Sequence, residues 1–151
     1  MATVLTLIGI LTVLATLTTQ KLIQRARANA TATQLVFMRT GLLNLATNCE
    51  GLPLTVPSGG DPGLAYQPAG ATCWSGPYLA HWPVTTSFGR STTFRYQGEV
   101  GSPAQISVES LRVADARALA SEVAPIFGHA QLSSVREVWS VSVNLGTYYR
   151  K

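Results

Sequence analysis

The side chains that could do chemistry are few and scattered along this chain of 151 residues. His81 and His129 are its only histidines, and no GxSxG motif supplies a serine nucleophile for either of them. The seven carboxylates include no pair at a spacing that favours acid–base catalysis, and the sequence has no phosphate-binding glycine loop. The sequence therefore predicts that the protein is not an enzyme.

The two cysteines, Cys49 and Cys73, flank a segment rich in glycine and proline. The sequence has no CxxC or HxxxH pair, so we expect no metal site, and no cofactor is predicted. The cysteines are either two unrelated buried thiols or a disulfide that closes the irregular loop. We favour the disulfide, because such a loop buries little apolar surface and a cross-link would stabilise it by about 3–4 kcal/mol. A disulfide implies an oxidising compartment.

The first twenty residues carry no ionisable side chain, and Lys21 follows them directly. As a helix they would cover about 30 Å, the thickness of a bilayer core. A cleaved signal peptide would begin with basic residues, and none precedes Val4. We expect this segment to lie in lipid or at the centre of a bundle of identical chains. Its apolar packing residues are then Met1, Val4, Leu5, Leu7, Ile8, Leu11, Val13, Leu14 and Leu17.

The charges near this segment conflict with the disulfide. Lys21, Arg25 and Arg27 would hold the following domain in the cytoplasm by the positive-inside rule, whereas a disulfide places it outside. Both hold if a basic leader once preceded Met1 and was removed, so we expect a processed N-terminus. Residues 1–50 contain four basic residues and one acidic residue, a net charge of +3. The remainder contains seven basic and six acidic residues, a net charge of +1. A nearly neutral domain argues against nucleic acid as the main partner.

Residues 22–48 have the pattern of an amphipathic helix without proline, continuous with the apolar segment. The two parts together, 1–49, would form a rod of roughly 70 Å. One stripe of this helix recurs at steps of three and four residues, and we expect it to pack on a sheet. The stripe consists of Ala28, Ala32, Leu35, Met38, Leu42 and Leu45.

The remainder, 50–151, is predicted to be a globular domain. Its first part, 50–91, holds six of the eight prolines and is predicted to be an irregular loop held by the disulfide. Trp74, Tyr78 and Trp82 in this loop are expected to cover the core, and the alternative is a surface platform for an aromatic ligand.

The second part, 92–151, has strand-like alternation around Phe94 and Tyr96, in "QISVESLRV" and in 139–145. A helix at about 114–127 is expected to end at Pro125 and Gly128, ahead of the last strand. The sequence therefore predicts an α+β fold, in which a long N-terminal helix packs on a small antiparallel sheet of three or four strands with one short extra helix.

These features resemble the type IV pilin and pseudopilin superfamily. The resemblance lies in the charge-free first twenty residues, in the basic residue Lys21 that follows them and in the amphipathic segment that leads into "LLNLATNCEGLPLT". A weaker similarity lies in "CWSGPYLAHWP". It implies the pilin fold, a leader cut by a prepilin peptidase and residence in the inner membrane. It also implies extraction by assembly machinery into a helical homopolymer on the cell surface.

The chain departs from that family at two points. Most members have a glutamate as the fifth mature residue, where this chain has Leu5, and most pilins have a proline late in the apolar segment, whereas the first proline here is Pro53. The helix is therefore expected to stay unbroken, or to loosen only near Gly9. The missing glutamate favours a tip-type minor subunit, or a divergent group such as the thin pili of conjugative plasmids.

The predicted function is thus that of a filament-forming structural subunit. Minor pilins and pseudopilins of type II secretion are alternatives within the same class. The same helix would serve filaments for motility, adhesion, DNA uptake, conjugation or secretion. A second class of function is a monomeric binding module, anchored in the membrane and using loop 74–82.

Overall fold

The computed structural model describes residues 2–49, 51, 60–98, 103–135 and 137–145, and for residues 2–15 and 17 it describes the backbone alone. Within these residues the chain forms two helices, α1 (Ala2–Cys49) and α2 (Val113–Phe127). The strands are β1 (Thr93–Gln97), β2 (Gln105–Leu111), β3 (Ala130–Val135) and β4 (Val138–Asn144). The layout is α+β, as predicted.

Helix α1 is uninterrupted over 48 residues, which corresponds to a length of about 72 Å. Three of its threonines, Thr33, Thr40 and Thr47, fit the helix because their hydroxyls donate to the carbonyl oxygen four residues earlier. Thr33 bonds to Asn29 at 2.9 Å, and Thr40 bonds to Val36 at 3.0 Å. The absence of proline before Pro53 and these internal hydrogen bonds explain why the helix runs without a break.

The four strands form one antiparallel sheet in the order β1-β2-β4-β3. The register of β2 on β4 shifts between Val108 and Leu111, where Ser110 has a φ of 63°. This bulge lies directly before α2 and turns the chain out of the sheet. Strands β2 and β3 therefore run in the same direction with β4 between them, and α2 connects them.

Strand β3 was not predicted, so α2 precedes the last two strands rather than the last one. Its residues are exposed apart from the half-buried Ala130, because β3 forms an edge of the sheet. Backbone pairing with β4 holds this strand without any buried apolar stripe. The prediction that Pro125 helps to end α2 was also wrong, since the helix continues to Phe127. A proline in the last turn forfeits only one intrahelical hydrogen bond, and Gly128, with a φ of 79°, ends the helix.

The core lies between the two helices and one face of the sheet. Alternate residues of β1, β2 and β4 point toward the helices, and Leu64 from the loop fills one edge. The residues that form this core are Ala32, Leu35, Met38, Leu42, Leu45, Leu64, Phe94, Tyr96, Ala104, Ile106, Val108, Leu111, Ala116, Leu119, Val123, Val141, Val143 and Leu145.

Candidate functional site

The candidate site is the part of α1 that extends beyond the domain, together with the junction where it leaves. All six residues of the predicted packing stripe are buried, from Ala28 to Leu45. Thr16 and residues 18–23 are exposed, and the helical backbone continues from them to Ala2. We call residues 2–23 the projecting segment, which is about 33 Å long.

Helix α2 runs parallel to α1. Its first turn contacts α1 at the junction, where α1 leaves the domain. The side-chain amide of Gln24 donates a hydrogen bond of 2.9 Å to the Asp115 carboxylate in the first turn of α2. Near the other end of α2, the Arg39 guanidinium lies 5.4 Å from the centre of the Phe127 ring. Sequence reasoning missed this pairing, because it expected α1 to pack on the sheet alone.

Just beyond the junction, α1 exposes large apolar side chains. Leu22 is 65% exposed and Ile23 is 47% exposed, so the domain leaves this turn of the helix uncovered. Two positively charged residues that flank this turn, Lys21 and Arg25, are exposed as well. This turn therefore offers apolar and cationic groups to a partner outside the domain.

The residues predicted to pack in a filament core begin at Met1 and end at Leu17. Met1 and the side chains of this set lie outside the part of the chain that the structure describes. Among the residues that it does describe, no helix has an apolar stretch long enough to cross a membrane.

The predicted disulfide between Cys49 and Cys73 is confirmed, with Cα atoms 5.1 Å apart. It joins the last residue of α1 to a loop position 24 residues further on. The loop is thus tied to the end of α1 that is opposite the projecting segment.

The aromatic residues proposed as a ligand platform take part in the fold. Trp74 and Tyr78 are half-buried against the core and meet edge to face, with ring centres 6.0 Å apart. The Trp74 indole donates a hydrogen bond of 2.7 Å to the carbonyl oxygen of Gly63, and Trp82 is half-buried against the same core. These contacts use the side chains to cover the core from the loop.

The Tyr78 hydroxyl is held in a small polar network at the end of α1. The Asn48 amide donates to it at 2.8 Å, and the Ser75 backbone N–H donates at 3.3 Å. Burial acts to raise the pKa of Tyr78, but these hydrogen bonds outweigh it, so the pKa lies below its ordinary value. This network links the loop to α1 close to the disulfide.

Asp61 organises the first described turn of the loop, a role that sequence reasoning did not find. Its carboxylate accepts hydrogen bonds from four successive backbone N–H groups, those of residues 63–66, at 2.6–3.1 Å. The turn places Leu64 in the core, where its carbonyl oxygen accepts from the N–H groups of Tyr78 and Leu79. The "DPG" triplet is the turn signal that could have predicted it.

The remaining reactive side chains do not form a cluster. His81 and His129 are exposed, and Asp61 and Asp115 are engaged in the hydrogen bonds described above. Glu109 forms an ion pair of 3.6 Å with Arg95 on the outer face of the sheet. Within the described residues, no group of three histidine, cysteine or acidic side chains could hold a metal ion.

No protein-family model, curated protein or solved structure matches this chain.

Proposed function

We propose that this chain is a structural subunit of an extracellular type IV pilus-like filament. Residues 1–20 hold it in the inner membrane before assembly. The same residues then pack against their counterparts at the centre of a helical polymer, and the domains form the outer surface. The proposal rests on one observation: α1 is a single helix that joins the buried stripe to a turn, residues 18–23, that the domain leaves exposed.

The described side chains of α1 lie in two environments, one buried in the domain and one exposed. Residues 28–46 supply a buried stripe that the domain needs for its core, whereas Thr16 and residues 18–23 are exposed. The charge-free segment 1–20, with ten large apolar residues, does not stay in water, since each such side chain gains about 1.5–3 kcal/mol on burial. It therefore requires lipid or other copies of itself.

Lipid and a bundle of helices hide apolar surface about equally well, so assembly needs a further source of free energy. Close packing between helices supplies part of it, and small residues such as Gly9 and Ala15 let helix backbones approach one another. Polar contacts between neighbouring domains supply the rest.

The alternatives of the same class differ in how the subunit is used. Leu5 replaces the glutamate that most family members carry, so this chain would assemble by helix packing without that carboxylate. A minor tip subunit or a pseudopilin of type II secretion would use the same projecting segment. The monomeric binding module has less support, because the polar groups of Trp74 and Tyr78 form hydrogen bonds within the domain.

A charge placed in the apolar segment tests the proposal. Gly9→Lys should abolish filaments formed on detergent removal, because a buried ammonium would repel its counterparts along the polymer centre. Gln67→Lys adds the same charge to an exposed loop position and should leave assembly unchanged. Sedimentation and negative-stain microscopy measure the outcome, and filaments formed equally well by Gly9→Lys would overturn the proposal.

A further inference from the structure

One end of the domain surrounds the point where α1 leaves it, and we call this the exit end. Because α2 runs parallel to α1, with Asp115 beside Gln24 and Phe127 beside Arg39, the start of α2 lies at the exit end. The disulfide at Cys49 lies at the opposite end of the domain.

The sheet register brings the β3–β4 hairpin to the same end. Leu111, the last residue of β2, pairs with Trp139, which also pairs with Ser134. Since Leu111 lies only two residues before α2, the hairpin tip beyond Ser134 and Trp139 lies beside the start of that helix.

The exit end exposes apolar side chains that the fold does not use. Val135 and Val138 pair across the hairpin and are 73% and 50% exposed, and Val113 at the start of α2 is 39% exposed. Together with Leu22 and Ile23 on α1, they place apolar groups around the base of the projecting segment.

Cations lie in the same region. Lys21 lies one helical turn before Gln24 on α1, and exposed Arg112 is the residue directly before α2, three residues before Asp115, so both lie on the exit side of the Gln24–Asp115 hydrogen bond. Arg25 and Arg27 are exposed on α1. Exposed Arg90 precedes β1, which begins at this end because Thr93 pairs with Glu109.

Few acidic groups offset these cations within the described part of the exit end. Glu109 is ion-paired with Arg95, which leaves the carboxylates of Asp115 and Glu137 to offset the cations named above. The exit end thus combines exposed valines with an excess of positive charge, and it surrounds a helix that continues into a charge-free segment.

From this combination we infer that the exit end is a docking face for a bilayer surface rich in anionic lipid headgroups. The inference rests on the proposed function, in which residues 1–20 lie in the membrane before assembly. Lys21, Arg25 and Arg112 contact lipid phosphates, while Val113, Val135 and Val138 enter the interfacial layer. The domain then sits on the membrane in one orientation.

The docking face gives a role to Lys21 and Arg25, which by the positive-inside rule would keep the domain in the cytoplasm, whereas the disulfide implies that it lies outside. Positive residues after an apolar segment oppose translocation of the domain that follows. Once the domain is outside, the same residues bind the anionic lipids of the outer leaflet, and they are released when the chain enters the filament. The cations would thereby hold unassembled subunits upright at the membrane surface.

The test uses the full chain in nanodiscs of phosphatidylcholine, alone or mixed with phosphatidylglycerol. Hydrogen exchange is followed in peptides that cover 111–115 and 132–139. In the anionic nanodiscs these peptides should exchange roughly fivefold more slowly than in the neutral ones. The triple variant Lys21→Gln, Arg25→Gln and Arg112→Gln should lose that difference, and Val135→Ser with Val138→Ser should reduce it.

Two controls separate a docking face from a general charge effect. Arg39→Gln removes a cation beside Phe127, at the end of α2 away from the exit, and should leave the difference intact, and Arg112→Lys should preserve it. Equal exchange in both lipids by a chain that still forms filaments would overturn the docking face alone. A chain that enters neither nanodisc would overturn the proposed function as well, and protection seen only in filaments would make the exit end a contact between subunits instead.

Discussion

The Gln24 side chain on α1 and the Asp115 carboxylate on α2 share a hydrogen bond of 2.9 Å across 91 residues of sequence. This contact lies at the level where α1 leaves the domain. On one side of it, α1 contributes a buried stripe to the core, and on the other side Leu22 and Ile23 are exposed. The bond therefore marks the boundary between the packed part of α1 and the projecting segment.

The first prediction concerns this bond. Gln24→Ala and Asp115→Ala should each destabilise the fold, and their double-mutant cycle should give a coupling free energy of about 1 kcal/mol, as expected for a partly buried hydrogen bond. Urea unfolding followed by circular dichroism measures it. Thr33→Ala is the control partner for Gln24→Ala, because the Thr33 hydroxyl bonds within its own helix, and that pair should be additive. Additivity of Gln24→Ala and Asp115→Ala would show that the bond does not hold the junction.

The second prediction concerns the disulfide. Replacing Cys49 and Cys73 together with serine should lower the free energy of unfolding by about 3–4 kcal/mol, because the unfolded chain regains the entropy of the closed loop. Hydrogen exchange should increase mainly in the loop peptides between 60 and 82. Increases confined to α1, or an unchanged melting temperature, would contradict this assignment.

The third prediction concerns Asp61. Asp61→Ala should destabilise the domain by about 1–3 kcal/mol, because four N–H groups lose a charged acceptor. Asp61→Asn retains one acceptor oxygen and should cost less than Asp61→Ala. Glu137→Gln removes a carboxylate from an exposed position and serves as the control for charge. If all three variants unfold at the same denaturant concentration as the parent, the turn does not depend on Asp61.

The fourth prediction concerns alkaline pH. Burial raises the pKa of Tyr96, whose side chain is fully buried, so the native state keeps its proton at pH values where the unfolded state has lost it. Below about pH 10, the pKa of unfolded tyrosine, ionisation of this residue does not reduce the free energy of unfolding. Above that pH the unfolded state loses the Tyr96 proton and the native state keeps it, so the free energy of unfolding falls by about 1.4 kcal/mol per pH unit.

Comparison with Tyr96→Phe isolates this effect. The stability difference between the two proteins, measured by urea unfolding at several pH values, should be constant up to about pH 10 and should then change in favour of the phenylalanine variant. The comparison cancels the other titrating groups, including Tyr78. Parallel pH profiles for the two proteins would show that the Tyr96 hydroxyl is not protected from ionisation.

The elements with a strong apolar period could be predicted from the sequence. The stripe from Ala28 to Leu45, the alternation around Phe94 and Tyr96 and the alternation through Val141, Val143 and Leu145 all reflect burial against one core. The disulfide followed from the physical need of an irregular loop for a cross-link. Each of these signals depends on residues close together in the sequence.

The features that were missed depend on contacts between distant residues. Strand β3 is held by backbone pairing at the edge of the sheet, so its side chains carry no pattern. The pairing of α1 with α2 depends on Gln24 and Asp115, two polar residues that no periodicity connects. The Asp61 turn is the exception, because its contacts are local and the "DPG" triplet signals it, although the backbone groups that donate to Asp61 leave no pattern of side chains.

Electron microscopy of the purified full chain, in mild detergent and after detergent removal, tests the central claim most directly. We expect dispersed particles in detergent and helical filaments without it, with residues 1–20 at the filament centre and the domains outside. Dispersed single molecules in both conditions, from which protease trims residues 1–23 without any change in behaviour, would contradict it.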